Sequence, residues 1–319
     1  MAGRTVDALP PGVRRRVRAW AGRPGPREVS FAALDEELAR AGAQMGASPE
    51  QAQARLAEIV VALPDAPPPD PFSDAYREWT WDVYRRISGR AIYDTSHEAS
   101  PFDLERALTR PFPYESGSLS LVGRDLVARG HLLEVLGQAL GGAQNPGAER
   151  PRVVEFGAGW GNLTADLIAT GLDVTVVELD SKFCSLIGAR CTGPGELTVH
   201  QGDMLAFTAA EPFDAAVFFE SFHHCSDHLA LLRRLHDVVR PGGVVLFAAE
   251  PVQRLDYPWG PRLDGLSVWS SRTYGWLELG FDVRYFDTAL ARTGWSGRRV
   301  MLGHRPAETD VIVARAAGR

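Results

Sequence analysis

Cysteine is scarce in this chain. Cys184, Cys191 and Cys225 are the only three, and none stands in a CxxC pair. That excludes a disulfide framework and fits a reducing, cytoplasmic setting. Long apolar runs are also missing. No segment approaches the roughly 20 residues of a membrane helix, so no membrane span is expected. The start, PPGVRRRVRAW, is basic and broken, without the apolar run of a secretory signal. An excess of positive charge is absent too: the formal net charge is −6, which disfavours nucleic acid as a partner. Lysine is rare against arginine, while alanine, glycine and proline abound, a composition typical of GC-rich bacterial genomes. No internal repeat is visible. What remains is ordinary globular material, 45% hydrophobic and 23% charged. At 319 residues it suits one large domain with an extra module, or two domains.

Residues 1–63 read as a helical module with a partly flexible start. In SFAALDEELARAGAQMG, Phe31, Leu34, Leu38 and Ala41 share a helical face. SPEQAQARLAEIVVAL opens with Ser48 three residues before Gln51, a capping-box pattern, and predicts one helix with Ala54, Ile59, Ala62 and Leu63 on its buried side. The module is a candidate homodimer arm, and 64–71 (PDAPPPDP) is a stiff proline-rich linker. Residues 72–150 form a helical and lid segment. It contains an aromatic-rich helix to Gly89, an irregular stretch at 90–117, a helix from Leu119 to about Leu140, and a loop GGAQNPGAER.

From Arg152 the pattern alternates. RVVEF, DVTVVEL, LTVHQGD, FDAAVFFES and GVVLFAAEP read as strands, with helices at NLTADLIATG, SKFCSLIGARC and LALLRRLHDVV. That order means a parallel sheet with crossovers. The expected fold is therefore α/β: a Rossmann-like, mostly parallel seven-stranded sheet with helices on both faces over 151–319, plus the N-terminal helices. Residues 251–281 form a substrate-side insertion.

The stretch VVEFGAGWGNLT carries the first chemical signal. Gly157, Gly159 and Gly161 sit between a strand and a helix, where backbone N–H groups gather at the carboxyl edge of the sheet. A dinucleotide fingerprint GxGxxG needs glycine at position 162, which is Asn162. The acid expected about twenty positions on is present as Glu178, and it can accept both hydroxyls of a ribose.

In these motifs the chain resembles the class I S-adenosylmethionine-dependent methyltransferases, over roughly residues 120–319. VVEFGAGWG is similar to the family's first motif, and QGDML, FDAAVFFESFHHCSD and RPGGVVLFAAEP follow in the family's order. RRVMLGH and TDVIVARA suit its closing antiparallel strand pair. The resemblance implies S-adenosylmethionine as cofactor. It implies Glu155 near the methionine end or the glycine loop, Glu178 at the ribose, Leu179 against the adenine, and Asp203 and Met204 at the adenine amino group and ring. A dinucleotide-dependent oxidoreductase is the competing class, against which Asn162 and the final strand pair argue. A non-catalytic partner protein is a third.

Methyl transfer needs donor and acceptor aligned, and often a base for the acceptor's proton. The loop after the fourth parallel strand reads ESFHHCSDH. It offers His223 and His224 as candidate bases, with Glu220 contacting acceptor or cofactor. The alternative is that these residues only fix the loop. Glu220, His223, His224, Asp227 and His228 could together hold a divalent metal, although no strict ligand spacing is met. For the acceptor, the candidates are Tyr93, His97 and Tyr114 before the first motif, and Tyr257, Trp259, Arg262 and Trp269 in the insertion. The expected activity is methylation of a small molecule in bacterial secondary metabolism. The best fit is oxygen of a sugar-like acceptor, and a nitrogen or carbon acceptor is the alternative. The loop FFES replaces the Asn-Pro-Pro-Tyr type seen where amino groups of bases or proteins are methylated.

Overall fold

The computed structural model of the chain describes residues 26–45, 48–63, 65–99, 101–141, 150–303 and 309–317. The expected flexible start, most of the loop 141–150 and one residue of the proline-rich stretch lie outside them. No helix among the described residues is long and apolar enough to cross a membrane.

The chain divides into two units. The first holds the residues up to Ala66 together with Arg262–Ser270. Strand β1 (Arg27–Val29) leads into helix α1 (Phe31–Met45), which buries Leu34, Leu38 and Ala41 on one stripe. Helix α2 (Pro49–Ala57) follows, and β2 (Ile59–Val61) pairs parallel with β1. Two expectations are corrected here. The helix predicted to run through 63 ends at Ala57, because the β-branched run Ile-Val-Val goes extended to satisfy the edge of β1. Its buried residues are consequently Ala52 and Leu56 rather than Ala54, Ala62 and Leu63, and Ile59 is buried as part of a strand. Ser48 makes no side-chain cap bond, so the capping box does not form.

The second unit holds residues 67–261 and 271–319. Helix α3 (Asp74–Ser88) starts where the Ser73 hydroxyl accepts the Tyr76 N–H at 3.2 Å. It stops at Gly89, whose φ of 70° only glycine adopts at little cost. Within 90–117 lie a short helix α4 (Leu104–Thr109) and single turns at Thr95–Glu98 and Tyr114–Ser116. Helix α5 (Leu119–Ala139) precedes the sheet.

The sheet strands are β3 (Arg152–Phe156), β4 (Asp173–Glu178), β5 (Leu197–Gln201), β6 (Phe213–Phe219), β7 (Val239–Ala248), β11 (Trp295–Val300) and β12 (Val311–Ala316). Their order is β11-β12-β7-β6-β3-β4-β5. All pairs are parallel except those of β12, which lies antiparallel between β7 and β11. Three short strands, β8 (Val252–Gln253), β9 (Trp259–Pro261) and β10 (Leu279–Asp282), form a second small sheet, and α9 (Gly265–Thr273) lies between β9 and β10 in sequence.

Side chains alternate across the main sheet. Val154, Ala216, Phe218, Val245 and Phe247 pack with α3, α8 (His228–Val238) and α10 (Val283–Arg292). Val153, Ala215, Val217, Val244 and Leu246 pack with α5, α6 (Asn162–Ala169) and α7 (Ser181–Arg190). From β3 the chain winds outward through β4 and β5, then returns to β6 and β7 on the other side. The loops after β3 and β6 therefore diverge, and open α/β sheets bind ligands in the crevice between such loops.

Candidate active site

A cavity of about 520 Å³ opens at that crevice, within the usual range for small-molecule sites. One end is built by the exits of β3, β4 and β5. Gly157 has φ 66°, and a Cβ there would stand 2.7 Å from the Ser221 Cβ. Only glycine lets the two strand exits close together, and the Ser221 hydroxyl seals them by donating to the Phe156 carbonyl at 2.6 Å. Glu178, at the end of β4, accepts the Gly159 N–H at 2.9 Å and the Asp180 N–H at 3.0 Å. Burial still leaves its carboxyl above the usual range. Glu155 is 2% exposed and accepts the Thr164 hydroxyl at 2.6 Å, and burial pushes it up to about 7. Asp203 accepts the Leu205 N–H at 2.8 Å, which turns the chain after β5. Glu155, Gly157, Gly159, Glu178, Leu179, Asp203 and Met204 all line the cavity. Gly161 sits behind it, against Ile187. This set suits an adenosyl amino acid: carboxylates at the ends of two strands, apolar flanks, and a loop without Cβ atoms in the way.

The other end is assembled from distant segments. Phe222 is fully buried among Phe218, Phe247, Phe281 and Phe286, and anchors the turn Phe222–His224. Glu250, just past β7, is the acceptor for that turn. Its Oε1 takes the N–H groups of Ser221 at 2.9 Å and Phe222 at 2.8 Å, and its Oε2 takes the His223 N–H at 3.2 Å. The His223 ring nitrogen Nδ1 lies 2.8 Å from the same Oε2. Burial opposes the charge on Glu250, but His223 and these amides hold it below the usual range. Glu98 joins two further segments: Oε1 accepts the Leu277 N–H at 2.8 Å, and Oε2 lies 3.0 Å from His224 Nδ1. Burial works against charge on His224. The carboxylates of Glu98, Glu278 and Glu250 outweigh it and push the ring up to about 9. Glu220 at the end of β6 has φ 51° and Ala249 at the end of β7 has φ 56°; among the described residues these are the only non-glycine residues at positive φ. Such strain concentrates at functional sites.

The structure brings Tyr93, Glu220 and His224 to the cavity wall, together with Glu98, Thr95, Cys225, Ser226 and Trp276. Several expected residues go elsewhere. His223 is not part of the wall, because its ring is turned to Glu250. Within the Thr95–Glu98 turn, His97 accepts the Asp94 N–H at 3.3 Å. The Tyr114 hydroxyl accepts from Arg129 at 3.2 Å. The Tyr257 hydroxyl donates to the Pro261 carbonyl at 2.9 Å, and Trp259 is buried against Tyr76 and His228. Arg262 and Trp269 belong to the first unit, where Arg262 pairs with Asp264 at 3.0 Å and Trp269 packs on Gly42. The stretch 251–281 is thus divided between the units. Of the candidate metal ligands, His223 and His224 lie together, whereas Asp227 and His228 are engaged elsewhere. Asp227 caps α8 and pairs with Arg77 at 2.8 Å, while His228 Nε2 lies 2.6 Å from the Tyr285 hydroxyl. Glu250 and Glu278 were not singled out by the sequence reading. An acid directly after a buried strand, as in AAEP, is the signal that points to Glu250.

Residues 153–243 match the family model described as a methyltransferase domain. An uncharacterized methyltransferase of Oceanobacillus iheyensis is 32% identical over 99 residues, and one of Anoxybacillus flavithermus is 34% identical over the same length. Each alignment covers 30% of this chain and 45% of the relative, so the chain spans under half the length of the curated relatives it matches. Among solved structures, the N-methyltransferase NodS from Bradyrhizobium japonicum WM9, in complex with S-adenosyl-L-homocysteine, is 20% identical with a TM-score of 0.45, covering 66% of this chain and 94% of that one. The 1,6-didemethyltoxoflavin-N1-methyltransferase of Burkholderia thailandensis is 21% identical with a TM-score of 0.46, covering 69% and 93%. Likeness at this level says nothing about the acceptor. The family match over residues 153–243, with the motifs in their order and the glycine turn at the crevice, makes this part of the chain a methyltransferase domain.

Proposed function

We propose that this chain transfers the methyl group of S-adenosylmethionine to an oxygen of a small, hydroxylated, sugar-like acceptor. The observation that carries the reading is the single cavity with two chemically different ends: Gly157, Glu178 and Asp203 at one, and Tyr93, Glu98, His224 and Trp276 at the other. Bound S-adenosylmethionine supplies an electrophilic methyl on a sulfonium, and its departure needs no protonation. The chain's own part is alignment. Glu178 holds a ribose by its two carboxylate oxygens, and the Gly157 turn sets the approach of the amino-acid end. Tyr93 and Trp276 offer ring faces to an acceptor, while Glu98 and His224 offer charged hydrogen-bond partners to hydroxyls. With His223 turned away, Glu98 and His224 are the groups placed to orient the reacting hydroxyl and share its proton.

An amine acceptor is the second reading. It is favoured by the carboxylates Glu98 and Glu278 beside His224, which suit a cationic group. Methyl-labelled S-adenosylmethionine, offered with a panel of nucleotide sugars, glycosides, phenols and amines, separates the two. Label on a sugar oxygen is the expected result. Label on amines alone replaces the acceptor assignment, and no label with any member of the panel counts against the reading of a small hydroxylated acceptor.

A further inference from the structure

We propose that His223, His224 and Glu278 form a binding site for one divalent first-row transition metal ion, such as Fe²⁺, Mn²⁺, Co²⁺ or Zn²⁺, beside the acceptor end of the cavity. One ligand atom from each of the three lies within 4.8 Å of the others. Metal bonds of about 2.1 Å place neighbouring ligand atoms about 3 Å apart, so side-chain adjustment of an ångström or two closes the set. Two imidazoles and a carboxylate select these ions over Mg²⁺ and Ca²⁺, which prefer oxygen throughout.

Three observations point to a cation rather than to a simple hydrogen-bond network. First, His223 Nδ1 lies 2.8 Å from Glu250 Oε2, which fixes the ring and directs Nε2 away from that carboxylate. Such a carboxylate behind a histidine is the usual support of a metal ligand. Second, that Nε2 faces Glu278 Oε2 at 3.7 Å, too far for a hydrogen bond and suited to a shared ion between them. Third, His224 Nδ1 is closed off from solvent and makes no well-aligned hydrogen bond, although Glu98 Oε2 is 3.0 Å away. The carboxylates of Glu98, Glu250 and Glu278 surround two rings, a charge balance that favours a bound cation. Of the three ligands His224 lines the cavity, so a bound ion would adjoin the acceptor space. This last point rests on the methyl-transfer reading; the ion site itself does not.

The test uses the full chain, free of any affinity tag and stripped with a chelator, titrated with Co²⁺ while its visible d–d absorption is followed. One equivalent with a spectrum distinct from aqueous Co²⁺ is expected. Glu278→Gln and His224→Ala should each weaken binding by more than about tenfold, with circular dichroism and melting temperature preserved. No protein-bound spectrum in the wild type, or wild-type affinity in the isosteric Glu278→Gln chain, would overturn the proposal. Calorimetry of S-adenosylmethionine on the same stripped protein reads the other claim separately, so failure of one is distinguishable from failure of the other.

Discussion

The two ends of the cavity differ in how the chain makes them. At the cofactor end, each contributing segment is a strand exit: 155–159 from the end of β3, 178–179 from the end of β4, and 203–204 just past β5. Short local motifs fold into place because the parallel sheet delivers all three exits to one edge. At the acceptor end, Glu98, His224, Glu250 and Trp276 meet only through long-range contacts, such as Glu98 with the Leu277 amide and Glu250 with the Phe222 turn. Local motifs therefore outline the first end, whereas at the second they offer single residues such as Tyr93 and His224 and only the assembled structure shows their partners.

The sharpest way to break the comparison is to remove the anchor of the acceptor end. Phe222→Ala deletes a ring packed in a fully buried aromatic cluster and is expected to cost about 3–5 kcal/mol in urea unfolding. A loss below 1 kcal/mol would mean the turn is held by Glu250 alone.

Acid should separate the ends next. Burial lowers His228, which packs on Phe222 and Trp259, to about 3. A group depressed on folding stabilises the protein above its unfolded value, near 6.5, and that stability is lost as pH falls toward 3. The expected loss is on the order of a few kcal/mol. Glu155 has the opposite sign: raised to about 7, its contribution is present below about 4.5 and lost as pH rises through 7. His228→Gln keeps an acceptor for Tyr285 without a titrating ring, and should flatten the fall in urea stability between pH 6.5 and 4. An unchanged slope would remove His228 as its source.

A smaller effect is expected at the cofactor end. Gly157→Ala places a Cβ against Ser221 at positive φ, and should weaken S-adenosylmethionine by about 2 kcal/mol, near thirtyfold in Kd, by calorimetry. The smallest is Tyr257→Phe. It loses one buried hydrogen bond to Pro261, about 1 kcal/mol of stability, and should leave turnover unchanged because the ring lies outside the cavity wall. A large fall in turnover would return the insertion to the acceptor site.

The same contrast explains what was legible in the sequence. Strand alternation, the glycine turn and the acid at Glu178 could be read because period and spacing are local properties, while Asp203 came only from the resemblance of QGDML to a family motif. Helix α2 was overrun because an Ile-Val-Val stretch fits a helix by hydrophobicity alone, and its partner strand β1 is thirty residues away in sequence. Tyr257 and Trp259 looked like acceptor contacts because aromatic rings serve cores and sites alike. Nothing local shows that Trp259 packs under His228. His223 and His224 are adjacent and identical in type, and only Glu250 decides which ring turns inward.

The central claim is that the strand-exit end binds S-adenosylmethionine through Glu178. Its most direct test is calorimetric titration of S-adenosylmethionine into the wild type and Glu178→Ala, side by side. Saturable one-to-one binding, weakened by about 1–3 kcal/mol in the variant, is the predicted result. No binding to the wild type, or equal affinity in both, would contradict it.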